Sequence, residues 1–418
     1  MARRKRKILT GVEIGSGTVK VVMGEFEAND LLAIVGVGEF PSIKVVKGEI
    51  IDADIVREQL MQALRAAERA SGTEIDRIFL AVTGGSIRSE NNPGWTAITR
   101  PDRRVLEEDL ITAHTNAKAY ALPPDKRVLH HLDRRYLLDG NREVTNPIGL
   151  VGGRLDAEIH VIYGQHNNIE TVCRMLNDVM GYPAADIAFS GLASGFAVLP
   201  PEEMEKGVLV IDLGAGVTEY VLFYGAGVCH SGQVTVGCDH LANDLSLGLR
   251  LPIPRCRQVL TRLESLGASA EMTPDGRSRP LVVEAIGRTA RSIPLSSVEQ
   301  IIDLRLSELF HVILEDLRRH KVLSRIATGV VLCGGGALVH GVQRLARRVF
   351  DMNIVVGTPW RTAGNPGVAA SPRYATPVGL IRWGRLSMAI ADSEPSVIEQ
   401  TWRELRRGMG TVGRALKW

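Results

Sequence analysis

Residues 8–25 read ILTGVEIGSGTVKVVMGE and residues 207–223 read GVLVIDLGAGVTEYVLF. Each is a β-branched apolar run with a carboxylate near its end, Glu13 in the first and Asp212 in the second, followed by a glycine turn and another apolar run. The turns are Gly15-Ser16-Gly17-Thr18 and Gly214-Ala215-Gly216-Val217-Thr218. Apolar runs on both sides predict strands, and the glycines between them predict tight hairpins. Glycine lets a ligand approach the backbone, so free N–H groups in such a turn can bond phosphate oxygens. A neighbouring carboxylate can hold a hydrated cation that offsets the phosphate charge. Taken singly, either turn also reads as an ordinary β-turn. Two with the same layout suggest a nucleotide gripped from both sides.

The chain has 418 residues, more than one ordinary core organises, so two or more domains are expected. Its 50 basic residues against 47 acidic leave a net charge of +3, which argues against a general nucleic-acid coat and confines any basic surface to local patches. Cys173, Cys229, Cys238, Cys256 and Cys333 are odd in number and lack metal-type spacing. They indicate neither a disulfide framework nor a cysteine zinc site, and a reduced cytoplasm fits best. The basic start MARRKRK meets Glu13 and a glycine turn too soon for a signal peptide. No stretch has the roughly 18 uninterrupted apolar residues of a spanning helix, so a soluble body is expected.

Strands are predicted at 9–14, 19–24, 32–37 and 78–82, with a helix at 54–70. Residues 86–162 change character: they are more polar, carry a helical pattern at 106–121, and close in NPIGLVGGRLDAEIHVIYG, whose alternation over 155–163 reads as an edge-type strand. A helical pattern at 169–179 leads to ADIAFSGLASGFAVLP (185–200), read as a small-residue helix in which Gly191 and Ala193 permit close packing. Residues 239–266 and 296–320 read as helices around a polar loop at 271–280. GVVLCGGGALVHGVQRLARRVF (329–350) supplies a strand, the turn Gly334-Gly335-Gly336-Ala337, and a helix. A base or ribose can lie flat on such a turn, and a helix N-terminus favours a nearby phosphate. The hairpin opening recurs once per half, a repeat at domain scale.

Three glycine turns in this order, with SGLASGFAVL (190–199) ahead of the second and YATPVGL (374–380) after the third, resemble the actin-like ATPase superfamily and, within it, the FtsA family of bacterial cell-division proteins. On that resemblance GVEIGSGTVK (11–20) and IDLGAGVTEY (211–220) are phosphate turns, CGGGAL (333–338) is the adenosine turn, and the two flanking segments are hinge helices. The implied fold is α/β: a two-lobed actin-like ATPase fold with an FtsA-type inserted subdomain and a C-terminal amphipathic helix. Residues 8–85, 163–202 and 361–390 would form the first-lobe core, 86–162 the insert, and 203–238 with 306–360 the second-lobe core. Residues 239–305 would be the small subdomain of the second lobe, 391–397 a linker and 398–418 the membrane helix.

The implied cofactors are ATP and Mg2+. Gly15, Ser16, Gly17, Thr18, Lys20, Gly214, Ala215, Gly216, Val217, Thr218, Gly334, Gly335, Gly336 and Ala337 would surround the nucleotide, with Glu13 and Asp212 holding the ion through water. Lys20 has a second reading, as a solvated strand lysine. The chain departs from the family pattern at Ala215 and Val217, where Gly and Thr are usual. It departs again at Arg257 and Leu260, where relatives often place Glu and Lys against the adenosine. A hydrogen bond to a charged group contributes about 1.5–3 kcal/mol, so loose ATP binding with at most weak hydrolysis is expected.

The end of the chain, SEPSVIEQTWRELRRGMGTVGRALKW (393–418), differs from the body. After a polar linker, Ile398, Trp402, Leu405, Met409, Val412 and Leu416 fall within an arc of about 80° on a helical wheel. Arg403, Arg406, Arg407, Arg414 and Lys417 flank and oppose that arc, and Trp402 and Trp418 suit a headgroup boundary. This is the profile of a helix lying in a membrane interface. Gly408, Gly410 and Gly413 each cost about 1 kcal/mol relative to Ala, while anionic lipid contributes about 1 kcal/mol per basic residue, so helix is expected on lipid and fraying in water. A helix docked on its own domain is the other reading. In EAIGRTARSIPLSSVEQIIDLR (284–305), Arg288 and Arg291 precede a helix. By the resemblance they are candidates to pair with carboxylates of the FtsZ C-terminal peptide.

The implied function is an ATP-regulated adapter. It would polymerise on the cytoplasmic face of the inner membrane at the division site, tether FtsZ filaments there and help recruit other division proteins, without nucleic acid. Two other classes stay open. A kinase of the same superfamily needs a general base beside a substrate pocket, and no such Asp stands out near 86–162. An FtsA-related, PilM-like pilus-assembly scaffold predicts no terminal amphipathic helix.

Overall fold

The computed structural model describes residues 7–27, 29–225, 227–266, 281–284 and 290–391. Arg288 and the tail residues Ile398, Trp402, Leu405, Arg406, Met409, Val412, Leu416 and Trp418 lie outside the described residues, and Arg291 falls in the short strand Ala290–Ile293.

Two sheets of the same topology form the two halves. In the first, strands run in the order Asp186–Phe189, Ile78–Val82, Leu9–Ile14, Thr18–Phe26 and Leu32–Pro41, with Thr362–Ala363 added at the edge. In the second the order is Ile354–Val356, Gly329–Cys333, Val208–Leu213, Thr218–Tyr224 and Gly227–Val234. Each half is thus an antiparallel three-strand meander extended by two parallel strands on its first-strand side. Valine and isoleucine dominate the central strands because both faces are covered, and Ile78–Val82, Val208–Leu213 and Gly329–Cys333 are buried throughout.

Helices cover the faces. Ala53–Ser71 and His166–Met180 pack on the outer face of the first sheet. Cys238–Leu249, Ile253–Leu266, Leu295–Arg319 and Val342–Phe350 cover the outer face of the second. Between the sheets a shared core joins Phe79, Ala188 and Phe189 from one side to Val210, Val221 and Phe223 from the other, around Ser190–Val198 and Ala375–Ala391. The segment between Val82 and His166 forms a separate antiparallel sheet, ordered Arg88–Ala97, Arg154–Gln165, Lys126–Leu138, Arg142–Val144, under the helix Glu107–Lys118. Among the described residues no helix is long and apolar enough to cross a membrane.

Four local expectations need correction. Strand Arg154–Gln165 is central, not an edge, because it pairs with Arg88–Ala97 on one side and Lys126–Leu138 on the other. Residues 186–189 are a strand rather than the start of the small-residue helix, which spans Ser190–Val198; they pair in parallel with Ile78–Val82. The glycine triplet opens a 3-10 turn, Gly335–Leu338, and the α-helix starts only at Val342 after Gly341 at φ 77°. The stretch 239–266 is two helices, split at Arg250, which adopts the left-handed region at φ 55°.

Candidate functional site

The two hairpin turns close in the same way. The Gly15 N–H donates to the Thr18 carbonyl at 3.0 Å, and the Gly214 N–H to the Val217 carbonyl at 3.0 Å. Their tips abut: a Cβ on Gly17 would stand 3.0 Å from Cβ of Ala215, and one on Gly216 would stand 2.5 Å from Oγ of Ser16. Among the described residues, the backbone N–H groups of Ser16, Gly17, Ala215 and Gly216 have no hydrogen-bond partner. Ser16 Oγ accepts from the Gly48 N–H at 2.9 Å, which braces the first tip. The second tip anchors a helix, since the N–H groups of Cys238 and Asp239 donate to the carbonyls of Gly214 and Ala215 at 3.0 and 2.9 Å.

Both tips open into a cleft of about 370 Å³ that also takes in Gly334, Gly335 and Gly336. Gly334 has φ 78°, and a Cβ on it would lie 2.1 Å from Oδ1 of Asp212, so only glycine fits. Gly335 faces open space, with nothing within 4 Å of where its Cβ would be. Leu260 and Thr261 wall this end, and Arg257 donates to Oδ1 of Asp239 at 2.8 Å.

Three carboxylates stand along the cleft. Glu13 accepts from Lys20 at 3.0 Å, and Lys20 is buried rather than solvated. Asp212 accepts hydroxyl hydrogen bonds from Ser194 and, at 3.1 Å, from Thr376, one on each of the helices between the sheets. Glu219 accepts from Ser190 and, at 2.6 Å, from Thr83. Burial raises the Glu13 pKa against the pull of Lys20, raises that of Asp212 against its hydroxyl partners, and pushes Glu219 up to about 8. Among the described residues, the triad of His, Cys, Asp or Glu donors within 4.8 Å of one another lies elsewhere, at His230, Asp316 and His320. Unpartnered amides on facing tips and open space at Gly335 are features that the phosphates and base of a nucleotide would complete, and Asp212 and Glu219, bonded only to hydroxyls, could face a cation there.

The cleft brings together Glu13, Gly15, Ser16, Gly17, Thr18 and Lys20 with Asp212 and Gly214 through Val217 and with Gly334 through Gly336. Thr218 lies beneath the second tip, its hydroxyl donating to the Val236 carbonyl at 2.8 Å. Ala337 packs into the core of the second half instead of lining the cleft. Sequence reasoning passed over Glu219, Thr83, Ser190, Ser194, Thr376 and Arg373. Glu219 had a readable signal, because it sits in the second hairpin where Lys20 sits in the first. The hydroxyls had none, since serine and threonine in small-residue helices read equally as packing.

Residues 84–163 match the family model described as SHS2 domain inserted in FTSA, and residues 209–379 match that of Cell division protein FtsA. The cell division protein FtsA of Pseudomonas aeruginosa is 31% identical over 400 residues, covering 93% of this chain and 94% of its own length. That of Escherichia coli is 28% identical over 398 residues and covers 93% of each. Among solved structures, the PilM-PilN type IV pilus biogenesis complex has a TM-score of 0.60 at 16% identity, covering 91% of this chain and 99% of the other. MreB5 of Spiroplasma citri bound to AMPPNP has a TM-score of 0.53 at 13% identity, covering 93% and 99%. These structural likenesses are of fold: two actin-like lobes, here with the FtsA-type insert in place.

Proposed function

Because this chain belongs to the FtsA family of cell-division proteins and has the actin-like fold, we propose that its cleft binds ATP with Mg2+ and that the nucleotide governs a membrane-bound division adapter. The observation that carries the nucleotide reading is the convergence of three glycine turns from distant parts of the chain, two of them with unpartnered amides on touching tips. In this reading residues 15–18 and 214–217 hold phosphates with Thr218 bracing the second turn from beneath, Lys20 supplies a cation beside them, and Glu13 and Asp212 hold the hydrated ion. Residues 334–336 receive the adenosine. Arg257 and Leu260 offer no carboxylate to the ribose, which keeps the affinity modest.

The two phosphate turns belong to different lobes, so a ligand bonded to both favours the closed form, and that differential affinity couples nucleotide to self-assembly. The remainder of the proposal follows the family. Residues 398–418 lie on anionic lipid at the cytoplasmic face of the inner membrane, and Arg288 and Arg291 meet the acidic FtsZ tail peptide. Filaments of this chain then hold FtsZ at the membrane and gather other division proteins.

Calorimetric titration of the full chain with ATP and Mg2+ is expected to give saturable heat, and no heat at millimolar nucleotide would remove the nucleotide reading. Flotation with anionic vesicles is expected for the full chain and not for a chain ending at Pro395; equal flotation would overturn the anchor. Reversing the charge of both arginines should weaken binding of an FtsZ tail peptide, and unchanged affinity would dismiss them.

A further inference from the structure

We propose that His230, Asp316 and His320 form a binding site for a transition-metal ion, zinc by donor preference, where the second lobe meets the inserted subdomain. One donor atom from each of the three lies within 4.8 Å of the others. His230 comes from strand Gly227–Val234, Asp316 from the last turn of helix Leu295–Arg319, and His320 caps that helix. Asp316 and His320 are four residues apart, so the helix end presents both on one side, and the strand brings the third donor to them.

The geometry is already drawn together. Nε2 of His230 lies 2.7 Å from Oδ2 of Asp316, and Nδ1 of His320 lies 2.9 Å from the Asp316 backbone carbonyl and 3.3 Å from Oδ1. The two imidazole rings have centroids 4.4 Å apart. Tyr220 donates its hydroxyl at 2.6 Å to Oδ2 of Asp316, the oxygen that also meets His230, and so fixes the carboxylate's orientation. His230 is 4% exposed, whereas the His320 side chain is 43% exposed and leaves a way in.

Two imidazoles and a carboxylate form a donor set that suits zinc and its neighbours rather than magnesium or calcium. Three protein ligands leave a fourth position for water. An ion there would bind the strand to the helix end one residue before Ser231. Ser231 in turn touches the inserted subdomain: its hydroxyl meets Nε2 of His160 at 2.8 Å, and its carbonyl accepts from Ser89 at 2.6 Å. The site therefore stiffens the joint between lobe and insert, independently of the nucleotide cleft.

The test uses the untagged full chain, stripped by chelator and kept in excess Mg2+ without nucleotide, titrated with Zn2+ against a chromophoric chelator. The wild-type chain should take one equivalent. His320→Ala and Asp316→Asn should weaken uptake by more than about tenfold. His311→Ala, on the same helix and with the same kind of ring bond to the carbonyl four residues back but outside the cluster, should keep it. Zn2+ should also raise the melting temperature of the wild type and of the His311 variant but not of His320→Ala. Absence of a tight equivalent in the wild type, or His320→Ala competing as well as the wild type, overturns the site. His320 is exposed, so its variant decides the matter even where Asp316→Asn fails to fold.

Discussion

Glu219 stands opposite Asp212 across one hairpin as Lys20 stands opposite Glu13 across the other, so the repeat places an acid in one half where it places a cation in the other. Burial makes the protonated form of Glu219 the one the ligand-free fold tolerates, with its pKa moved from 4.5 to about 8. Its contribution to stability is full below the unfolded value and is lost as pH rises through the folded one. Buried His130, lowered from 6.5 to about 4, works in the opposite sense, but its effect is complete once pH passes the unfolded value. Above neutrality the acid should therefore dominate. Between about pH 7 and 9 the ligand-free chain is expected to lose melting temperature, and Glu219→Gln to lose less by the equivalent of about 1 kcal/mol or more. A variant that tracks the wild type would show that this carboxyl is not held neutral. Gly335→Ala separates ligand space from structural space: with nothing within 4 Å, the ligand-free chain should keep or slightly gain stability. ATP affinity should nevertheless fall about tenfold or more in calorimetry if the base lies on that turn.

At the scale of elements, the two helices between the sheets determine how near the lobes come. A Cβ on Gly379 would lie 1.7 Å from the Ala193 carbonyl oxygen, and one on Gly11 would lie 2.0 Å from that of Pro377. Backbone thus meets backbone where Ala375–Ala391 crosses Ser190–Val198 and the first strand. The hydroxyls of Ser194 and Thr376 lie 2.9 Å apart at this crossing and both reach Asp212, so the hinge and the cleft share a carboxylate. Gly379→Ala should cost about 3 kcal/mol or more, because neither neighbour is a flexible side chain, and urea denaturation measures it. A loss below about 1 kcal/mol would mean that the crossing yields easily. The element-level differences between expectation and structure have one cause: short apolar runs such as 186–189 carry no periodicity of their own. The parallel partner Ile78–Val82 makes that segment a strand.

For the whole molecule, the insert connects to both lobes. It leaves the first lobe by chain connection and touches the second through strand Gly227–Val234, where a Cβ on Gly227 would stand 1.9 Å from the Asp133 carbonyl oxygen. Arg134 donates to the Cys229 carbonyl at 2.9 Å while pairing with Glu158 of its own sheet. Arg134→Ala should cost about 1–3 kcal/mol and raise hydrogen exchange along 227–234 more than along 208–213. Uniform exchange would place the seam's strength elsewhere. The paired hairpins, the three glycine turns and two of the three cleft carboxylates, Glu13 and Asp212, were legible in the sequence. Valine-rich strands and glycine turns act over a few residues, and the order of their recurrence carried the resemblance to an actin-like fold. The hydroxyls of Thr83, Ser190, Ser194 and Thr376, the burial of Lys20 and Ala337, the central place of Arg154–Gln165, and the meeting of His230 with Asp316 and His320 were decided by tertiary structure alone. Each depends on segments far apart in the chain being packed face to face, and local residue order carries no record of which side chain lies across that contact.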